Sequence, residues 1–558
     1  MVEDSNDSRL RSLTDGAPER HDLFVGLVSA IGSSRDEVLT QLRVHLGQYG
    51  YGMEHIHLAS LLDDLPGREG DPLPDRSDAA YYKRRMDAGD ELRKQAGDHS
   101  ALAALAIVRA AKKRENAQTE AAGEQAQPVA YVFDSLKHPR EAQLLRSVYG
   151  SGFWLVSIVQ DIEERMHNLG EILASQQGKF SGQSDSQTIE LMQRDEADPD
   201  ARNGQQVRDV FAAADYFLPV RRGEVWTKHV ERFLEGVFDA PFLTPTSDED
   251  AMRHAQSASL RSAALGRQVG AAIVPVHGDP YLLGTNEVPK PGGGQFREGD
   301  SPDFRDFRTG YDPNPTYVDR LLTEVFERLA TAQYFTDDRN KAGGKAVLTE
   351  ALTKRGDGDA AVLDGTRVKS LIEFTRCLHA EQAAIVSAAR TGVALAGAKL
   401  YSTTFPCHEC TKFIVGAGIA EVQYIEPYPK SMAGELYRDL IDELPPMHKV
   451  AEGANLDRIP FRPFLGFGPG RYDEVFAAGR RREGVKAAEH NKLLACPIGR
   501  GWNGVGVENK QDQVAVAVAS VTARLSTSGD QSGVTGDYAS KEASTHPCGP
   551  CRRITRIS

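Results

Sequence analysis

Cys377-Leu-His379-Ala-Glu381 and, further along, Pro406-Cys407-His-Glu-Cys410 are the stretches on which the reading of this chain turns. One imidazole and two thiolates give a zinc ion three protein ligands and leave its fourth position open to water, the arrangement of a catalytic rather than a closed structural site. His379, Cys407 and Cys410 are the candidate ligands, and Glu381 is the candidate proton carrier. The spacing has physical reasons. Cys407 and Cys410 are three apart, so a helix opening at Cys407 and running to about Gly418 sets both sulfurs on one face of its first turn. Its unpaired N–H groups and positive end favour thiolate over thiol. His379 and Glu381, two apart, diverge by about 200° inside a helix and can share one ion only at a helix start. The run Glu381-Gln-Ala-Ala-Ile-Val-Ser-Ala-Ala-Arg390 supplies that helix. A closed site using Cys377 as a fourth ligand leaves Glu381 without a task, so Cys377 is read as a packed thiol.

H-x-E followed by P-C-x-x-C is the signature of nucleobase deaminases, in which an activated water attacks C4 of cytosine. The cysteine half carries the specificity, because only six cysteines occur among 558 residues. Upstream, Met252 to Gly284 reads as a helix followed by two strands, with a break at His277-Gly-Asp-Pro between them. Gly284-Thr-Asn286-Glu-Val-Pro289 comes next. Here the chain resembles the deoxycytidylate deaminase family, whose domain opens with such a helix, a strand containing V-G-A and a G-x-N-x-x-P-like loop. By that resemblance Asn286 is the candidate for deoxyribose recognition. The family usually has glycine after this asparagine, where this chain has Glu287. The long interval between Pro289 and Cys377, with a helical section at about Thr316 to Thr331, is expected to form a lid or an interface.

The front half follows another pattern. Leu23-Phe-Val-Gly26-Leu-Val-Ser-Ala-Ile-Gly32-Ser33-Ser34 is an apolar strand running into a glycine loop, and Arg35 to Gly47 continues as an amphipathic helix. This looks like a phosphate-binding loop, with Gly26, Gly32, Ser33 and Ser34 as candidate nucleotide contacts. It departs from G-x-x-x-x-G-K-[ST] by one extra residue and by Ser33 where the lysine belongs. A strand ending at Asp134, a buried strand from Phe153 to Val159 and a helix starting near Asp161 follow, and the stretch after Val207 resembles the closing helix and strand of nucleoside monophosphate kinases. Asp134 stands where a magnesium-binding acid would. Alternating strands and helices build a parallel sheet covered on both faces.

The expected fold is therefore α/β throughout, an N-terminal P-loop kinase-like parallel-sheet domain followed by a cytidine-deaminase-like α/β/α domain. The divisions are a disordered segment 1–20, a kinase-like domain 21–240, a deaminase domain 241–477 and an extension 478–558. This pairing resembles the bacterial antiphage deaminases that convert dCTP and dCMP to uracil nucleotides. The resemblance implies defence by draining the deoxycytidine nucleotide pool, a front domain that senses or restrains activity, and a homo-oligomer; whether an inhibitory partner exists is not set by the sequence. One zinc and a deoxycytidine nucleotide are the implied ligands, and a nucleotide, with or without Mg2+, is the candidate ligand of the front domain.

A net charge of −13 and a pI near 5.7 argue against general affinity for nucleic-acid polymers. Arg267 and Lys430 are candidates for a local basic pocket. No apolar run approaches a membrane span and no signal peptide is evident, so a cytoplasmic location is expected. All six cysteines follow residue 376, which points to metal chemistry in a reducing compartment rather than to disulfides. Cys496 with His546, Cys548 and Cys551 forms a candidate second, structural zinc set. The stretch Ser175 to Gly204, rich in Gln, Ser and Asp, reads as a loop, and Asp239 to Asp250 as a boundary. Two other functions share parts of this pattern: a deaminase acting on RNA or single-stranded DNA, which needs a basic groove with stacking aromatics, and a nucleotide-sensing regulator with a vestigial zinc site.

Overall fold

The computed structural model describes residues 20–65, 76–120, 127–174, 186–198, 204–221, 226–278, 281–353, 361–428, 430–443, 457–477, 481–483, 486–498 and 504–529. Residues 1–19 of the expected disordered segment, and the tail residues His546, Cys548 and Cys551, lie outside the described residues.

The first sheet contains β1 (Leu23–Val28), β2 (Gly52–His57), β3 (Val129–Asp134), β4 (Phe153–Val159) and β5 (Tyr216–Pro219), parallel in the order β2-β3-β1-β4-β5. Strands covered on both faces read as unbroken apolar runs, and β1 and β4 are buried along their whole length. The helices Arg35–Gln48 and Thr227–Val237 cover the face of Leu23, Val25 and Leu27. The helices Ala101–Glu120 and Pro139–Tyr149 cover the face of Phe24 and Val28. Gly26, expected at the mouth of a phosphate loop, lies inside β1. A Cβ there would come within 2.7 Å of the Leu136 and Phe153 side chains, so its bareness serves packing within the sheet.

The second sheet contains β6 (Gly270–Val274), β7 (Leu282–Thr285), β8 (Lys399–Thr404), β9 (Glu421–Glu426), β10 (Ile441–Asp442) and β11 (Ile459–Pro463) in the order β10-β11-β9-β8-β6-β7. β6 runs antiparallel to both of its neighbours, and the other pairs are parallel. The helix Ser247–Ser259 packs on one face through Met252 and Ala255. The helices Ala380–Thr391 and His408–Gly416 pack on the other through Ala384, Ala388 and Ile414.

The chain then crosses back. β12 (Gly466–Phe467) pairs antiparallel with β5, Gly466 opposite Phe217 and Phe467 opposite Tyr216, so the expected deaminase stretch 241–477 supplies an edge strand of the first sheet. The Phe467 ring is fully buried among Trp154, Tyr216 and Phe233. Glu249 holds the crossing. Its Oε1 accepts from Phe467 N at 2.9 Å, and its Oε2 accepts from Thr246 N at 2.7 Å and from Arg232. Truncation leaves two N–H groups without their acceptor and Arg232, whose Nη2 still donates to Thr244 O, without its carboxylate. Glu249→Ala is expected to lower stability by about 3–5 kcal/mol, read from denaturant midpoints, with Glu249→Gln recovering part of the loss.

The stretch Ser175 to Gly204, expected as a loop, contains the helix Ser186–Glu196. Thr188, Leu191, Met192 and Asp195 recur at helical spacing and point inward, and Leu191 and Met192 pack on Leu169 and Leu173. The helix expected near Thr316 to Thr331 starts at Pro313, where the Asp312 carboxylate accepts from Asn314 N at 2.9 Å and proline takes the first helical position. With the helix Gly344–Leu352 it forms a small core of Val318, Leu322 and Leu348. The last described helix, Gly504–Gly529, docks on the first domain, with Val507 in its core and Gln511 Nε2 donating to Tyr149 Oη at 3.2 Å.

Candidate active site

Two helix starts meet on one face of the second sheet. His379 is the N-cap of Ala380–Thr391, and its main-chain N–H donates to Gln382 Oε1 at 3.1 Å. Cys407 is the N-cap of His408–Gly416, and Cys410 N donates to Cys407 Sγ at 3.4 Å. The first helix can lie this deep because β7 carries Gly284, where a Cβ would come within 1.9 Å of Ala380 O. Its inward residues Ala380, Ala383, Ala384 and Ala388 are correspondingly small. The second follows β8 through Phe405-Pro406, so both caps come to the end of the sheet where β7 and β8 finish and β6 begins.

His379 Nδ1 stands 3.1 Å from Cys407 Sγ and 3.4 Å from Cys410 Sγ. The three donor atoms lie within 4.8 Å of one another. A tetrahedral zinc with bonds of about 2.05 Å to nitrogen and 2.3 Å to sulfur separates N from S by about 3.5 Å. The donor set and its spacing therefore fit that ion. Glu381 Oε2 accepts from Cys410 Sγ at 3.3 Å, and Glu381 Oε1 accepts from Ser402 Oγ at 3.1 Å. Ser402, fully buried on β8, escaped the sequence reading because nothing in a strand serine announces which carboxylate it meets.

Electrostatics at the cluster follow from burial. The hydrogen bond from Cys410 and the neighbouring His379 pull the Cys407 thiol down to about 4, against its desolvation. Burial pushes the Cys410 thiol up. Desolvation opposes charge on His379, but the hydrogen bond and charge of Cys407 outweigh it and raise the imidazole. Glu381 is raised by burial first and by the Cys407 charge second. Cys377, expected as a packed thiol, is buried against Asp306 with its Sγ 3.6 Å from Oδ2. Burial and that carboxylate push it up to about 12.

Asn286 Oδ1 accepts from Val269 N and its Nδ2 donates to Arg267 O, both at 2.7 Å. The amide keeps one N–H and one lone pair for a ligand. Glu287, at the departure from the family pattern, is buried, and its carboxylate accepts from Ala263 N and Val288 N. It organises the loop. Arg267 pairs with Glu426 at 3.1 Å, and Lys430 is exposed.

Residues 245–426 match the cytidine and deoxycytidylate deaminase zinc-binding region. That match spans about a third of the chain and includes Asn286, His379, Glu381, Cys407 and Cys410. The deoxycytidylate deaminase of Enterobacteria phage T2 is 44% identical over 57 residues, 10% of this chain and 30% of that protein. ComE operon protein 2 of Bacillus subtilis (strain 168) is 45% identical over 53 residues, 10% of this chain and 28% of that protein. The chain thus spans less than a third of the length of these curated relatives. The dCMP deaminase from the cyanophage S-TIM5 in apo form aligns with 40% of this chain and 99% of its own, at 17% identity and a TM-score of 0.19. The match over residues 245–426 and the curated relatives support kinship with deoxycytidylate deaminases at the level of the family.

In the first sheet, Gly32, Ser33 and Ser34 lie in the turn between β1 and the helix Arg35–Gln48. Gly32 adopts φ +82°, and a Cβ there would come within 2.3 Å of Arg165 O. The loop already holds an anion of its own. Ile31 N donates to Asp195 Oδ2 at 2.7 Å, and Lys137 Nζ pairs with Asp195 Oδ1 at 2.8 Å. Ser34 N donates to Gln160 Oε1 at 2.8 Å, and Ser33 Oγ is buried without a partner among the described residues. A cavity of about 240 Å³ adjoins this loop between the two sheets, lined by Ala30, Arg165, Arg208, Phe211, Tyr424 and Pro463 among others. Among the described residues no helix is long and apolar enough to cross a membrane.

Proposed function

We propose that this protein is a zinc-dependent deaminase of free deoxycytidine nucleotides, converting dCMP, dCTP or both to the uracil nucleotide and ammonia. The observation that carries the reading is the convergence of His379 Nδ1, Cys407 Sγ and Cys410 Sγ at two helix starts, with Glu381 3.3 Å from Cys410. His379, Cys407 and Cys410 hold the zinc, which when bound supplies the Lewis acidity that lets water lose a proton near neutral pH. Glu381 takes that proton at Oε2, while Ser402 fixes the other carboxylate oxygen. The water oxygen adds to C4, and Glu381 returns the proton to the ring nitrogen. The C4–N bond then breaks, the amino group leaves as ammonia with protons relayed through Glu381, and the C4 carbonyl of uracil remains. Burial of Glu381 suits this exchange, because it brings the carboxylate closer to water in proton affinity. Asn286, with its spare N–H and lone pair, binds the sugar.

Residues 21–240 act as a nucleotide-responsive domain on a degenerate phosphate loop, 241–477 carry the chemistry, and 478–558 form an extension whose described helix Gly504–Gly529 packs beside Tyr149. A homo-oligomer in the cytoplasm that drains dCTP during phage infection is the biological reading that goes with this arrangement. Asp195 occupies the loop's N–H and the Lys137 ammonium, so a phosphate arriving there must displace it. Asp195→Asn is expected to tighten nucleotide binding to the full chain by about tenfold in equilibrium titrations, since one internal anion is removed. The deciding assay incubates zinc-replete protein separately with dCMP, dCTP, CMP and CTP. Uracil deoxynucleotide with stoichiometric ammonia supports the reading, and turnover of polymeric substrate alone overturns it.

A further inference from the structure

A second group of donors stands on the first sheet, remote in sequence from the deaminase region. Strand period two sets His55 and His57 of β2 on one face, and parallel register puts His57 beside Asp134, the last residue of β3. His57 Nδ1 is 2.9 Å and His55 Nε2 is 3.2 Å from the same oxygen, Asp134 Oδ2. Asp134 is fully buried, and its Oδ1 has no hydrogen-bond partner among the described residues. A buried carboxylate with one oxygen doubly engaged and the other unmatched is costly unless a further group completes it.

We propose that His55, His57 and Asp134 form a second metal site, for a divalent first-row transition ion. The donor atoms all lie within 4.8 Å of one another. Metal bonds of about 2.1 Å to imidazole and carboxylate put cis ligand atoms about 3.0 to 3.4 Å apart, which brackets or adjoins both measured distances. Two imidazoles select cobalt, nickel, iron or zinc over magnesium, which keeps to oxygen ligands. The histidine side chains are 31% and 21% exposed, so an ion can enter from solvent. The site lies at the carboxyl ends of the strands. Connections leave β1 and β3 toward opposite faces there, because the helix after β1 packs with Leu27 and the helix after β3 packs with Val28. Such a switch point is where parallel sheets hold their ligands.

Arg35 is the built-in competitor. Its Nη1 lies 3.4 Å from Asp134 Oδ2, while Nη2 is tied to Asp36 at 2.8 Å, and a metal ion displaces it toward solvent. Removing Arg35 therefore strengthens the site rather than weakening it.

The test uses full-length protein with its thiolate site already loaded with zinc. Added Co2+ is followed by visible d–d absorption and bound-metal analysis, beside a parallel Mg2+ titration. One further Co2+ is expected, without sulfur-to-cobalt charge transfer. His55→Asn and His57→Asn, partly exposed positions that leave the fold intact by circular dichroism, each weaken that binding by about 100-fold, and Arg35→Ala tightens it. Zinc at the thiolate site stays at one equivalent in all three. Folded wild-type protein that takes up no Co2+ beyond its zinc, or takes it up equally well in the His55→Asn/His57→Asn double variant, overturns the proposal. Mg2+ binding as tight as Co2+ overturns the assignment of the ion's class.

Discussion

Glu381→Gln is expected to reduce kcat for deoxycytidine nucleotide deamination by about 10³- to 10⁴-fold while leaving one zinc per chain. The substitution keeps the shape of the side chain and an oxygen to accept from Ser402 Oγ, whose present hydrogen bond is 3.1 Å. What it removes is the proton acceptor. Because Glu381 is no ligand in the proposed site, metal content separates its role from that of His379 and the cysteines. The carboxylate is also raised by its burial, so the amide relieves a desolvation cost and thermal stability should hold or rise slightly. Loss of activity then cannot be assigned to unfolding. Uracil nucleotide formation followed by chromatography, with metal analysis on the same preparation, checks it. A variant that keeps more than about a tenth of wild-type kcat would remove Glu381 from the mechanism.

Cys410→Ser is expected to lose both metal and turnover, from about one zinc per chain to less than about a tenth, with activity at background. Cys410 is fully buried, so no solvent ligand can take its place at low cost. A serine hydroxyl is harder and shorter than a thiolate and suits zinc poorly. The informative control is Cys377→Ser, which should keep zinc and activity. Cys377 Sγ is engaged with Asp306 rather than with His379, and as a thiol pushed up to about 12 it has little thiolate to offer a metal. Equal zinc loss in Cys377→Ser would convert the three-ligand site into a closed four-ligand one and end the catalytic reading.

The two helix starts were legible because residue types and spacing left few ways to bring His379 and Glu381 to one ion. The apolar runs of β1, β3 and β4 announced the parallel sheet for the same kind of reason, since burial on both faces leaves no polar alternation. β2 was missed, and with it His55 and His57. Its sequence Gly52-Met-Glu-His-Ile-His57 lies at the sheet edge and mixes polar with apolar residues. β12 is two residues long, too short for any periodicity, and its place depends on a partner more than two hundred residues earlier. The helix around Leu191 was hidden by its polar neighbours. Asp195 could not be read as the occupant of the glycine loop from composition alone, because that contact exists only once the helix Ser186–Glu196 has docked.

The return of Gly466–Phe467 to the first sheet bears on how such proteins exchange parts. A single recombination point in the linker near residue 240 would import a foreign front half without the strand that completes it. It would also leave the aromatic side chain of Phe467 facing a pocket made by another lineage. Glu249, which accepts from Phe467 N and from Arg232 of the front half, adds a second constraint across the same seam. Exchange of the front half therefore requires two crossovers, or inheritance of residues 466–467 as part of its cargo.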